Sequence, residues 1–401
     1  MDEEPSTQSD ESGTRFILPS LGLSRLVLQL PRMLTGLLLI DIAYTFGTSV
    51  GVMSQIRTAS SIVAVVGALL MAGLSVRFKH KHLLMAGLAF IVVSALGCGL
   101  ALNYSSILVL FSLSGVGLAM VTPMSSALVG EYLPLDRRAS TMGWMLGASA
   151  AAYLVGAPVF AYISGIGGWR WAFLGFVLPV TVLSLMFAAY GLPRPRVDEG
   201  GEDGSVIEAF RAVFTNASAT ACLAGNLIIL STWSTHLSFS SSLLRQRFLV
   251  TTGFASLSTI VGATCYIVGS VSSGRLVNRF GRKSITVAMT VPAGLLLYGV
   301  YNFDNLIPVL LFSWVGALLN GMLYSATLNL SLEQLPRFRG TMMSIVSATG
   351  SMGSAIGTAF GGWILVTYHY NQLGWFMGAF NVVAVLIYHF ITKDPTQNQR
   401  Q

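Results

Sequence analysis

The chain has 401 residues, of which 53% are hydrophobic and only 10% are charged, and its mean hydropathy is +0.69. Soluble domains carry about 25% charged residues, and disordered chains are polar, so this composition excludes both classes. The net charge of +7 is not gathered in a basic domain, which excludes nucleic acid as a partner. The composition therefore indicates a polytopic membrane protein that is surrounded by a lipid bilayer.

Twelve segments are long and apolar enough to cross a bilayer as helices, for which about 20 residues are needed. They are predicted near residues 33–53, 58–76, 83–102, 106–130, 139–163, 171–192, 219–243, 252–276, 284–301, 306–330, 341–367 and 374–392. We therefore predict an all-α fold of two six-helix bundles. The predicted domains are a polar tail at 1–25, a first bundle at 26–192, a linker at 193–215, a second bundle at 216–392 and a tail at 393–401.

The lysines and arginines predict the orientation of the chain. If the amino terminus is cytoplasmic, 19 of the 23 fall on the inner side, and four fall outside: Arg57, Arg170, Arg245 and Arg247. Cytoplasmic loops of membrane proteins carry the excess of basic residues. We therefore predict a multi-pass protein of the plasma membrane with both termini in the cytoplasm.

The two halves of the chain repeat each other. Gly73 recurs as Gly274 at an offset of 201, and Glu131 recurs as Glu333 at an offset of 202, each glutamate followed three residues later by proline. Gly-Trp pairs at 168–169 and 374–375 open the last span of each half. A duplicated six-helix unit places the substrate between the halves, near the membrane midplane.

The loop Gly274-Arg-Leu-Val-Asn-Arg-Phe-Gly-Arg-Lys283 resembles the loop signature of the major facilitator superfamily, with Asn278 in place of its acidic residue. The resemblance implies two six-helix bundles around a central cavity that work by alternating access. Residues 131–138 and the glycine-rich fifth span are most similar to the drug-efflux branch. The gating residues implied are Gly73, Arg77, Glu131, Arg137, Gly274, Asn278, Arg279, Gly281, Arg282 and Arg339.

The loop between spans 2 and 3 departs from this signature. Arg77 stands at the position of the acid, Phe78 at that of the arginine, and His80 at that of the glycine. The resemblance implies that the acid helps to hold the cytoplasmic gate closed. A reversed pair of Arg77 with Glu131 is one arrangement that would replace it.

Two titratable residues are candidates for proton coupling. Asp41 falls near the middle of predicted span 1, about 3 Å from the bilayer centre at 1.5 Å per residue. A charge at that depth is costly and is usually functional, and the alternative is a protonated Asp41 that bonds to a neighbouring helix. His236 in span 7 is equally suited to proton transfer or to a structural bond between helices.

Spans 1, 4, 7 and 10 line the cavity in the family that the loop resembles. Aromatic and methionine side chains on these spans suit an apolar or amphipathic ligand, although packing between helices explains such residues equally well. A second buried charge is not expected, which argues against phosphate esters or dianions. The cavity candidates are Tyr44, Met120, Met124, Trp233, Asn320 and Tyr324.

Glycines at four-residue spacing predict close helix packing: Gly143 and Gly147 in span 5, and Gly353, Gly357 and Gly361 in span 11. Together these features predict a monomeric secondary transporter, not an enzyme, that exports small hydrophobic or amphipathic compounds. It would use a proton gradient and neither a cofactor nor a metal. The alternatives are an importer or facilitator of sugars or organic acids, and a lipid-handling or sensor protein with the same fold.

Overall fold

A computed structural model describes residues 8–133, 135–193, 206–335 and 339–395, and it contains helices and no strand within those ranges. Among the described residues, eight helices are long and apolar enough to cross a membrane, or nine if one sharply bent pair counts as a span. The all-α polytopic fold predicted from the sequence is confirmed. Residues 194–205 of the predicted linker lie outside the described residues.

Fifteen α-helices follow one another in the described parts of the chain. Two π-helical segments, Phe173–Val177 and Ile387–Ile391, continue the sixth and the last span. The α-helices are α1 (Gln8–Leu37), α2 (Leu39–Thr45), α3 (Val50–Met53), α4 (Gln55–Arg77), α5 (His80–Leu100), α6 (Tyr104–Tyr132), α7 (Leu135–Ala172), α8 (Leu178–Gly191), α9 (Val206–Thr215), α10 (Ala217–Arg247), α11 (Thr252–Phe280), α12 (Arg282–Asn302), α13 (Leu306–Gln334), α14 (Arg339–Thr367) and α15 (Tyr370–Leu386).

Eleven of the twelve predicted spans coincide with these helices, and the first is displaced. Span 1 runs over Phe16–Leu37 and continues, after a 66° bend, as Leu39–Thr45. A turn at residues 46–49, where Gly47 has a φ of +60°, then leads into α3 and span 2. The predicted segment 33–53 therefore joined the end of span 1 to the start of span 2. The start of span 1 is not recognisable as an apolar run, because arginines and prolines at residues 19–32 interrupt it.

The described residues form two compact units by their internal contacts. One contains residues within 1–34 and 66–200, and the other contains residues within 35–65 and 201–401. Residues 35–65 are thus grouped with the second half of the chain, whereas the domain division predicted from the sequence stays a prediction.

Glycines allow α10 and α14 of the second unit to pack with their backbones in contact. A Cβ atom added to Gly353 would lie 2.3 Å from the carbonyl oxygen of Leu227, and one added to Gly357 would lie 2.1 Å from that of Ser231. Gly361 continues the same face against Phe239. The predicted packing role of the span 11 glycines is therefore confirmed, because no larger residue fits at this contact.

We expect Gly357→Ala to lower the thermal stability of the protein. The added methyl group would meet the Ser231 carbonyl, and such overpacking typically costs about 1–3 kcal/mol. The measurement is the unfolding midpoint of the detergent-purified protein.

Gly147→Ala in α7 is the matched control. A Cβ atom there has nothing within 4 Å, so the close packing predicted at Gly147 is wrong. Because alanine also favours helix over glycine, the midpoint of this variant should not fall. Equal losses in both variants would contradict the packing argument.

Candidate transport site and gate residues

Asp41 forms a two-pronged ion pair with Arg245. Arg245 Nη1 donates to Asp41 Oδ2 at 2.5 Å, and Nη2 donates to Oδ1 at 2.9 Å. The pair joins α2, which follows the bend in span 1, to the end of α10. Ser241 Oγ and Arg245 Nη1 also donate to the carbonyl oxygen of Leu37, at 3.1 and 3.5 Å. These bonds hold the bent tip of span 1 on span 7.

The depth predicted for Asp41 is wrong. Asp41 lies four residues before the end of α2, and its partner Arg245 lies 13 residues beyond the middle of α10, which is about 20 Å along the helix. The pair therefore lies where span 1 and span 7 end. The sequence predicts that both of these helix ends face the outside of the cell. The side chain of Asp41 is 36% exposed and that of Arg245 is 14% exposed. The proton-coupling role of Asp41 stays a prediction.

Two arginines lie inside span 1 instead. Arg32 stands 16 residues after Phe16 and 13 before Thr45, close to the middle of the span, and Arg25 stands two turns earlier. Arg25 Nη2 donates to Ser126 Oγ of α6 at 2.7 Å. The expectation of no second charge within the spans is therefore wrong. Arg25, Gln29 and Arg32 are four and three residues apart in the sequence. This helical spacing is the sequence signal for a polar face on span 1.

His236 is enclosed by side chains of its own unit. It is buried, its Nε2 lies 3.2 Å from Ser313 Oγ, and its Nδ1 lies 3.5 Å from Tyr301 Oη. The ring also stacks on Trp233, with centroids 5.4 Å apart. This geometry fits the structural alternative, in which histidine links spans 7, 9 and 10. Its role in proton transfer stays a prediction.

The predicted cavity residues differ in their surroundings. Met120, Met124 and Asn320 are buried, and Met120 packs closely against Gly87 of α5. Tyr44 is 88% exposed at the tip of span 1. Trp233 and Tyr324 are half-buried, and Trp233 stacks on Tyr266 of α11 with centroids 5.5 Å apart. Sequence reasoning missed Tyr266, because its span was not expected to line the cavity.

The predicted cytoplasmic ends of the two units carry equivalent ion pairs. His80 Nδ1 bonds to Glu131 Oε1 in the first unit, and Arg282 Nη2 lies 3.6 Å from Glu333 Oε1 in the second. Both pairs repeat at an offset of 202. Glu131 is thus bonded to His80, whereas the side chain of Arg77, its expected partner, lies outside the described residues. The first pair is ionic only when the imidazole is protonated, while arginine keeps its charge.

Neighbouring lysines repeat at the same offset. Lys81 Nζ donates to the carbonyl oxygens of Ala189 and Leu192 at 2.8 and 2.6 Å, and Lys283 Nζ donates to that of His389 at 2.8 Å. Each lysine therefore caps the last helix of its unit. The sequence repeat at offset 201 pairs His80 with Gly281. The ion pairs and the lysines repeat at offset 202, so the two loops differ by one residue in this region.

An aspartate of the carboxyl-terminal segment completes the second loop. Asp394 Oδ2 accepts from the backbone amides of Arg282 and Lys283 at 3.1 and 3.3 Å, at the start of α12. Gly281 provides the required turn with a φ of +90°, and the guanidinium of Arg279 lies 5.2 Å from the ring centroid of Phe280. A carboxylate thus stabilises this loop although the signature acid is absent. Gly274 lies in α11, and the side-chain positions of Gly73, Arg137, Asn278 and Arg339 lie outside the described residues.

Tyr132 links the end of α6 to the residues that follow α8. Burial, and to a smaller extent the charge of Glu131, raise the pKa of Tyr132 to about 12. Its hydroxyl therefore stays protonated at physiological pH and donates to the carbonyl oxygen of Pro193 at 3.1 Å.

Membrane-spanning helices, ion-paired helix ends and a duplicated loop together define a polytopic transporter. The chain belongs to the Major Facilitator Superfamily, whose family model matches residues 21–264 and 221–401. This membership confirms the resemblance found in the sequence and agrees with a protein that is a transporter and not an enzyme.

The similar proteins include transporters of several kinds. An uncharacterized MFS-type transporter, YwfA of Bacillus subtilis (strain 168), is 24% identical over 89% of this chain and 87% of its own. A probable sugar efflux transporter of Helicobacter pylori (strain J99 / ATCC 700824) is 25% identical over 88% of this chain and 90% of its own. A D-xylose-proton symporter of known structure has a TM-score of 0.80 over 96% of this chain and 99% of its own, at 16% identity, and thus shares the fold.

We expect Lys81→Ala to destabilise the protein. The substitution leaves two carbonyl oxygens at the end of the first unit without their donor, and hydrogen bonds to charged groups contribute about 1.5–3 kcal/mol. The unfolding midpoint of the purified protein measures the loss.

Lys79→Ala is the control, since the Lys79 side chain is exposed and makes no capping bond to α5. Its midpoint should stay native. The capping role would be refuted if both variants unfolded at the same temperature.

Proposed function

We propose that this protein exports small amphipathic organic compounds in exchange for protons. It works by alternating access, as a monomer in the plasma membrane with both termini in the cytoplasm. A proton gradient supplies the free energy, and no cofactor takes part. Export is also the direction named for the Helicobacter pylori relative, a probable sugar efflux transporter.

The ion pair of Asp41 with Arg245 carries this proposal. The pair holds the tip of span 1 on span 7, at the predicted outer end. Protonation of Asp41 removes the negative charge that the guanidinium binds, so proton uptake and separation of the pair favour each other. Opening of the outer gate thereby depends on the proton concentration outside. This linkage couples release of a solute to the gradient.

Aromatic side chains of the second unit suit the apolar part of such a solute. Trp233 and Tyr266 stack in parallel planes with an interplanar angle of 14°, and both are half-buried. Tyr324 adds a further half-buried ring on α13. Flat aromatic faces bind apolar groups with little loss of conformational freedom.

We expect Asp41→Asn to abolish proton-coupled transport. Asparagine keeps the size but carries no charge that a proton removes, so compound-induced proton movement should fall about tenfold or more. The measurement is the fluorescence of a pH-sensitive dye in proteoliposomes with an imposed pH gradient. A panel of neutral, anionic and cationic amphipathic compounds is added in turn.

Asp304→Asn is the matched control at the same predicted end. Asp304 pairs with Arg247, but it is 87% exposed, so its loss should change transport little. Native proton movement in Asp41→Asn would contradict coupling through this residue. Accumulation of compounds together with protons, in place of exchange, would show that the protein is an importer.

A further inference from the structure

A groove with a volume of about 470 Å³ lies between α5 and α8 of the first unit. Its lining includes Ala86, Ala89, Leu185, Met186, Ala189 and Tyr190. Met186 is 52% exposed and Tyr190 is 87% exposed, so the groove is accessible from outside this pair of helices. Three of the lining residues are alanines, whose small side chains leave the space between the two helices open.

The groove lies in the membrane-spanning part of both helices. α5 begins at His80 and α8 ends at Gly191, at the side predicted to be cytoplasmic. Ala86 and Ala89 lie six and nine residues after His80, about 9 and 14 Å along the helix axis. An apolar space at that depth stays free of water, because it offers no hydrogen-bonding partners. In a bilayer, a hydrocarbon chain is therefore the occupant that fits this groove.

Basic side chains stand at the end of the groove that is predicted to be cytoplasmic. Lys81 Nζ donates to the carbonyl oxygen of Ala189 at 2.8 Å, which places a cation beside the lining. His82 is exposed and lies four residues before Ala86, on the same face of α5. Lys79 is exposed at the start of this helix. A basic cluster next to an apolar groove attracts the phosphate of an anionic lipid.

We propose that this groove binds one anionic phospholipid from the leaflet that is predicted to face the cytoplasm. One acyl chain lies along Ala86, Ala89 and Ala189, and the phosphate contacts Lys79 and His82. Cytoplasmic leaflets carry anionic lipids, which agrees with the side at which the basic residues lie. The site belongs to the first unit, whereas the ion pair and the aromatic residues proposed to act in transport belong to the second, so lipid binding goes beyond that function.

The test compares two phospholipids that have the same dioleoyl chains, phosphatidylglycerol and phosphatidylcholine. Native mass spectrometry of the delipidated, detergent-purified protein counts the bound lipid molecules and gives an apparent Kd for each lipid. We expect phosphatidylglycerol to bind about fivefold to tenfold more tightly, because the basic side chains attract its net negative charge. The double variant Lys79→Gln with His82→Gln should lose most of this preference, while its affinity for phosphatidylcholine stays native.

Arg211→Gln is the matched control for charge, since Arg211 is exposed on α9 and belongs to neither helix of the groove. It should keep the native preference. Ala86→Trp fills the groove and should weaken the binding of both lipids about tenfold, because methylene groups of the chain lose their apolar site. Val93→Trp is its control, since Val93 is exposed on α5 outside the lining and both lipids should bind as before. If Ala86→Trp does not fold, Ala89→Leu replaces it and should cause a smaller loss in the same direction.

Four results would overturn this assignment. They are equal affinity of the native protein for both lipids, native binding of phosphatidylglycerol in Ala86→Trp, an equal loss of preference in Arg211→Gln, and displacement of the lipid by sn-glycerol 3-phosphate alone, which would assign the basic residues to a soluble phosphate. A dimeric mass that becomes monomeric in Ala86→Trp would also refute it, because the groove would then bind a second copy of the chain. Transport enters none of these measurements, so the proposed function is tested separately.

Discussion

Hydrocarbon offers no hydrogen-bonding partners, so every backbone amide and every charge within a span must be satisfied by the protein itself. This constraint keeps the described spans helical and explains what surrounds the sharp bend of span 1. Where span 1 bends after Leu37, Ser241 and Arg245 donate to the Leu37 carbonyl. The same guanidinium binds Asp41, so one arginine stabilises both the bent backbone and the charge beyond it.

The same constraint makes the glycines of span 11 necessary. Apolar helices gain little from the hydrophobic effect inside a membrane, and close van der Waals contact must hold them together. At Gly357 the backbone of α10 comes so near that even a methyl group would clash with Ser231. Backbone proximity of this kind also brings Thr58 and Thr358 within 2.9 Å, where their hydroxyls bond to each other. Polar side chains of neighbouring helices thereby come close enough to form hydrogen bonds with each other.

The two halves of the chain form equivalent ion pairs with different residues. Glu131 and Glu333 each bind a basic side chain from the loop of their own unit, but one partner is His80 and the other is Arg282. The second half uses a permanent charge, and the first half uses one that depends on protonation. The two halves are therefore more alike in geometry than in sequence, since an ion pair with the glutamate needs only a basic side chain at the right place.

Composition, hydropathy and the duplicated loop were enough to determine the fold class, the positions of eleven helical segments and the family. These features depend on averages over about 20 residues, which single exceptions do not disturb. The first span and the partners of the charged residues were decided only by the tertiary structure. Arg25, Pro31 and Arg32 interrupt the apolar pattern of span 1, and Arg25 is bonded to a residue far away in sequence, Ser126. Asp41 likewise looks central from the sequence, but Arg245, 204 residues away, places it at the end of the span.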